Sequence, residues 1–229
     1  MEEAGRTCRK SDCGVGTAAK FIRGLFKSGH HTILEHAVAS FRVTCSRGVS
    51  HEFVRHRLMV FSQESTRYCD YTKDKHDNEI KVICPPFDND EDREDFIASC
   101  EESERRYQKM RARGCKPELA RSVLPTDLKT EFVVTANLRE WCLFLRQRYY
   151  GLTGRPHPMM LEVSTMIRAL LMSGCPEVFD VLDREARRIS LTEKILAKVK
   201  DMCDHLNQVE ANNDILDIAS LYEEYEEAA

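Results

Sequence analysis

The chain has 229 residues, 42% hydrophobic and 31% charged, a balance that excludes a disordered polypeptide and fits one domain with room for a helical appendage. The net charge of −4 hides an asymmetry: Glu210 to Ala229 holds seven acids and no Lys or Arg, and taking those seven from the 38 acids leaves 31 against 34 basic residues. A body so slightly basic argues against a general nucleic-acid binder but leaves room for a local basic pocket, and no apolar run reaches membrane-spanning length.

Ten cysteines are spread evenly along the chain with no C-x-x-C pair, so a structural zinc site is not expected. The polar, acidic start does not read as a secretory signal. Free thiols in a reducing cytosol are therefore the expected state.

In chain order, Met1 to Gly14 is polar and expected to be irregular. Thr17 to Ser28 predicts a helix with Phe21, Ile22, Leu25 and Phe26 on one face, and Gly29 is its expected stop. The turn Gly29 to His36 carries His30, His31 and His36, whose spacings are not those of a zinc-binding helix, so no metal is expected there. Glu35 and His36 are expected at the strand entrance. Ala37 to Cys45 alternates apolar and polar residues, which predicts a half-buried strand.

Val49 to Val60 is expected as a helix running into an extended or looped Ser62 to Tyr68, followed by a charged surface loop, Cys69 to Glu79. Ile80 to Cys84 reads as a short strand closed by Pro85 and Pro86. Asp90 to Arg113 predicts a long helix with a stripe of Phe96, Ile97, Cys100, Tyr107 and Met110, ended by Gly114. Pro117 opens a short helix. Lys129 to Thr135 reads as a strand, and Asn137 as the cap of a helix from Leu138 to Tyr149. A loop, Gly151 to Pro158, precedes helices over Met159 to Met172 and Glu177 to Asn207, the second with a break near Ser190. The expected class is α+β: helix-rich, with a small, mostly antiparallel sheet, flanking helices and a helical C-terminal extension. The domain is expected over residues 1–209, with an acidic tail at 210–229.

One stretch dominates the chemistry. Arg55-His56-Arg57 and Ser62 to Tyr68 flank an apolar tetrad, Leu58 to Phe61. The pattern predicts a core-anchored segment that offers polar groups at both ends to one anionic ligand. Arginine is always charged and presents a planar fork of donors suited to phosphate and heterocycle edges. Ser65 with His56 as base would make a serine hydrolase, but no G-x-S-x-G elbow is present, so donation to phosphate is the favoured role for Ser65. A second basic set, Arg121, Arg139, Arg146 and Arg148, lies further along with Asn137.

These residues carry a resemblance. Arg55-His56-Arg57, seven residues and Ser65 together resemble the R-H-R-x7-S signature of the flavin-dependent thymidylate synthases. The turn from Gly29 to His36, His51-Glu52-Phe53-Val54, Ser65-Thr66-Arg67-Tyr68, Ala120-Arg121 with Leu124-Pro125, and Thr135-Ala136-Asn137-Leu138-Arg139-Glu140 with Phe144-Leu145 and Arg148 are similar to further motifs of that family. The matches run in order from about Arg6 to Glu162.

The resemblance implies reductive methylation of dUMP to dTMP. Its carbon donor would be methylenetetrahydrofolate, its cofactor FAD reduced by NADPH, and its assembly a homotetramer with active sites between subunits. It implies FAD contacts from His30, Thr32, Arg55, His56, Arg57, Gln63, Asn137, Arg139 and His157. It implies dUMP contacts from Glu52, Arg55, Gln63, Glu64, Ser65, Thr66, Arg67, Arg121 and Arg148. Arg148, beside developing charge on the uracil, and Ser65 are the candidate catalytic residues. Two positions depart from the family pattern: Gln63 stands where an acid is common, and Leu143 where a polar flavin contact is common. A non-catalytic nucleotide-binding homologue is the alternative.

Overall fold

A computed structural model of the protein describes residues 1–8, 10–73 and 77–211. Its elements run α1 (Glu2–Thr7), α2 (Ala18–Lys27), a 3-10 turn (His31–His36), β1 (Val38–Ser46), α3 (Arg47–Phe53) and β2 (Val60–Gln63). They continue with α4 (Asp90–Ala112), α5 (Pro117–Ala120), a second 3-10 turn (Arg121–Val123), β3 (Lys129–Asn137), α6 (Leu138–Arg148), α7 (Pro158–Gly174) and α8 (Pro176–Ala211). The class is α+β, as expected, with many helices around one antiparallel sheet of order β1-β3-β2. Two compact units divide the chain, Met1–Leu182 and a second from Asp183 onward. The acidic segment expected at 210–229 lies outside the described residues apart from its first two, which end α8.

β3 is the central strand. Its register sets Thr135 opposite Ser40 of β1 and Val60 of β2, and Val133 opposite Arg42 and Ser62. Strand side chains alternate between faces, so these rows form one open face, on which Val38, Val60 and Val133 are exposed. The other face carries Val43, Cys45, Phe132 and Val134 into the core. Phe53 of α3 stacks on Phe144 of α6, with ring centroids 4.8 Å apart, and meets Phe132 edge-on at 5.1 Å. Trp141 of α6 packs edge-on against Phe41 at 5.0 Å, and its indole N–H donates to the Ala39 carbonyl at 3.1 Å. Burying each of these large side chains contributes about 1.5–3 kcal/mol, and together they fix α3 and α6 on the sheet.

Helix α2 forms as the sequence predicts, with Ile22, Leu25 and Phe26 buried. Gly29 ends it at φ 78°, a conformation glycine adopts without steric cost. Long α4 is likewise where the stripe put it, capped by Asn89, whose side chain accepts from Asp92 N. Asn137 caps α6 in the same way, accepting from Glu140 N at 2.9 Å.

Several expectations are corrected. Met1 to Gly14 is not wholly irregular: α1 forms and packs on α2 so closely that a Cβ on Gly5 would stand 2.8 Å from Leu25 and Phe21. The helix expected at Val49 to Val60 starts earlier, where Ser46 Oγ accepts from Val49 N, and stops at Phe53. The tetrad Leu58 to Phe61 is not buried as a block. Met59 is buried, whereas Leu58 (74%) and Val60 (69%) are exposed, because the segment enters strand β2 and alternates. The expected strand Ile80 to Cys84 makes one isolated bridge, Val82 to Leu128; the two prolines that follow have no N–H with which to extend a ladder. Cys69 to Glu79 is not all surface, since Asp70 and Tyr71 are buried. Helix α8 passes Ser190 without a break.

Candidate active site

The site is built from the ends of elements. Arg148 is the last residue of α6, and Glu52 lies in the last turn of α3. With α3 and α6 packed through Phe53 and Phe144, these two ends meet. Arg148 Nη1 donates to Glu52 Oε2 at 2.8 Å and Nη2 to the Glu52 carbonyl at 3.4 Å. The pair is partly open, with 23% of the Arg148 side chain and 29% of the Glu52 side chain exposed. Two contacts to one residue fix the guanidinium and leave N–H groups over for a ligand.

Behind Arg148 sits His56, which is 4% exposed and edge-on to Phe144 at 5.1 Å. Arg148 Nε donates to its Nε2 at 3.4 Å. Its Nδ1 lies 3.3 Å from Glu140 Oε1, itself buried. Burial pushes the imidazole down to about 4, and the positive charge of Arg148 acts in the same direction, so His56 is neutral near pH 7. Burial pushes the Glu140 carboxyl up. Both ring nitrogens of His56 are engaged, so it is not available as a base for Ser65. The Ser65 hydroxyl instead accepts from Arg67 N at 3.3 Å within its own turn.

The segment after β2 forms the next wall. Thr66 is buried and its hydroxyl accepts from Arg121 Nη1 at 3.0 Å, while Arg67 lies 4.0 Å from Glu118. These contacts bring the Ser65 turn against α5 and the 3-10 turn that follows it. Tyr71 donates its hydroxyl to Glu64 Oε1 at 3.1 Å, and burial, then the Glu64 charge, push the phenol up. Gln63 is directed inward: its amide donates to Ser50 Oγ at 2.9 Å and Thr130 Oγ1 at 3.1 Å, bracing β2 against α3 and β3. Arg55 and Arg57 stand exposed between α3 and β2, with no carboxylate partner among the described residues.

Of the residues implied for the flavin, Asn137 and Arg139 lie at the other end of α6. Arg139 pairs with Glu35 of the first 3-10 turn, next to exposed Thr32 and His30. Asn137 lies at the start of α6. His157 caps α7, accepting from Met159 N through Nδ1 at 3.3 Å. Leu143 is 41% exposed. The sequence reading gives Glu140 no role, since Asn137 alone reads as the helix cap there. The structure gives the helix cap to Asn137 and sends the carboxylate inward to His56.

A family model, thymidylate synthase complementing protein, matches residues 1–176. The chain belongs to this family. It is 33% identical over 174 residues to a flavin-dependent thymidylate synthase of Mycobacterium sp. (strain JLS), a match covering 65% of this chain and 66% of the relative. The protein of the same name from Mycobacterium avium (strain 104) is 33% identical over 170 residues, with the same coverage. The match therefore spans just under two thirds of these relatives' length. The family-matched span contains every candidate residue above, whereas most of α8 lies beyond it.

Proposed function

We propose that this chain is a thymidylate synthase that converts dUMP to dTMP by reductive methylation. Methylenetetrahydrofolate would donate the carbon, and FAD, reduced by NADPH, would be the resident cofactor. The observation that carries this reading is the family match over residues 1–176. The donor set fits an anionic flavin: His30, Thr32, Arg55 and Arg57 are all exposed, and Asn137, Arg139 and His157 complete the cofactor side. Bound flavin supplies the hydride.

On the nucleotide side, Arg55, Arg67, Arg121, Ser65 and Thr66 bind the phosphate of dUMP, with Glu64 held beside them by Tyr71. Glu52 fixes Arg148, whose remaining N–H groups face the uracil edge. A fixed cation there stabilises negative charge that develops on the ring during carbon transfer. His56 is left out of the ligand set, because both of its ring nitrogens are engaged inside the protein, whereas Gln63 commits only its amide nitrogen, to Ser50 and Thr130.

The open sheet face supports the proposed homotetramer. Val38 (63%), Val60 (69%) and Val133 (39%) are exposed in adjacent strands, and a second copy would cover them. The ten cysteines form no disulfide among the described residues, which supports a cytoplasmic setting. Purified protein is expected to be yellow, absorbing near about 450 nm as flavins do, and to release tritium from 5-tritiated dUMP only when folate and NADPH are present. Colourless protein that shows no dUMP- and folate-dependent NADPH oxidation after FAD is added overturns the proposal.

A further inference from the structure

Arg148 has one contact that the reaction as proposed does not use. Its Nε–H points at His56 Nε2 at 3.4 Å, inside the protein and away from any substrate. A guanidinium has donors and no acceptor, so this contact requires an unprotonated Nε2. A neutral imidazole has two tautomers, and only the Nδ1–H form leaves Nε2 free to accept. The other form would set two donors against each other.

The group that selects the tautomer is Glu140. Its Oε1 lies 3.3 Å from His56 Nδ1, with both side chains almost fully buried. Its own backbone is pinned where its N–H donates to Asn137 Oδ1 at 2.9 Å, in the first turn of α6, where the helix dipole favours a carboxylate. The charged and titratable groups in this chain of contacts are Glu140 and Arg148 from α6, His56 itself, and Glu52 from α3, which touches Arg148 and not the imidazole.

We infer that Glu140 is a positioning residue for Arg148, acting through His56: its carboxylate accepts the Nδ1–H, and the Nε2 lone pair so exposed holds Arg148 Nε and sets the plane of the guanidinium. Glu52 fixes the outer edge of that plane and His56 the inner one. The inference assigns a role to a residue for which the sequence reading gives none. It rests on the proposed role of Arg148 at the uracil, but the tautomer it requires is a property of the ligand-free chain.

The test is ¹⁵N NMR of the full chain with labelled histidine. In the unaltered protein, His56 should show a protonated Nδ1 and an unprotonated Nε2; a protonated Nε2 overturns the inference without any variant. Glu140→Gln keeps an oxygen acceptor and should retain the Nδ1–H form. Glu140→Leu removes it and should yield a mixture of tautomers. In a dUMP methylation assay, kcat for Glu140→Leu should fall about 10–100-fold, the usual effect of removing a carboxylate that orients a histidine at a functional site. Glu140→Gln should stay within a few-fold, and the KM for dUMP should change little in either. Unchanged Nδ1–H in Glu140→Leu, or an equal loss of activity in both variants, overturns it. Absence of thymidylate synthesis by the unaltered protein would defeat the proposed function and leave the tautomer measurement standing.

Discussion

Replacing His56 with Gln should change how stability depends on acidity. Burial, with Arg148 second, pushes the folded imidazole down to about 4 from an ordinary value of 6.5. The unfolded chain therefore takes up the proton first, and the contribution is full above pH 6.5 and lost as pH falls towards 4. Each pH unit of difference is worth about 1.4 kcal/mol, so the integral from about pH 7 to 4.5 approaches 2.5 kcal/mol. Glu140, pushed up by burial, takes up its proton in the folded state and offsets part of this. Glutamine does not titrate, yet its amide can donate to Glu140 and accept from Arg148. The unaltered protein should thus lose about 2 kcal/mol more than His56→Gln over that range. Urea unfolding followed by circular dichroism at several pH values measures the difference. Curves that run parallel to within about 0.5 kcal/mol would show that His56 is not held neutral by its surroundings, and would refute the account of the buried chain of contacts.

Other outcomes follow from the same geometry. Arg148→Lys keeps the charge but loses the fork and the Nε donor, and should lower kcat for dUMP methylation about 10²–10³-fold, read by tritium release. Asp70→Asn breaks a bidentate pair with Arg111, whose Nη2 lies 2.7 Å from Oδ2 and whose Nε lies 3.1 Å from Oδ1; it should cost about 2–3 kcal/mol in urea unfolding. The same Arg111 fork, helped by Thr72, holds the Asp70 carboxyl well below the usual range, so this stability should persist until pH falls below 3.8, the ordinary value. A thiol reagent applied to native protein should label Cys8, Cys13, Cys84 and Cys203, which are exposed, before the buried Cys45, Cys100 and Cys142. Burial pushes the Cys45 thiol up to about 12, and it should react only on unfolding.

The legible parts of the fold were those with strong local signals. Periodicity located α2 and α4, alternation located β1, and Asn137 marked the start of α6, because each depends on contacts within a few residues or on one buried face. Misread segments were those settled by distant partners. Asp70 looked like surface until Arg111, on α4, satisfied it. Leu58 and Val60 looked like core because apolar residues in a row give no hint of which face of an edge strand each will occupy.

The site divides along the same line. The order of its motifs was plain in the sequence, and so was the donor chemistry of Arg55, Arg121 and Arg148. Which polar groups point inward was not, because that depends on packing across α3, β2 and α6. Gln63 found Ser50 and Thr130; His56 found Glu140. A sequence shows that a histidine lies between two arginines, but not that it is buried while both of them are exposed.

Helix α6 also acts as a spacer with a phase. Arg139 and Arg148 are nine residues apart, about 13 Å along the axis and about half a turn around it at 100° per residue. One pairs with Glu35 and the other with Glu52, on opposite sides of the same cylinder. Arg139 and Arg148 of a single chain therefore diverge. Under the proposed function, a centre that needs both would take one from each of two copies, and one residue inserted in α6 would rotate the two out of step by a little over a quarter turn.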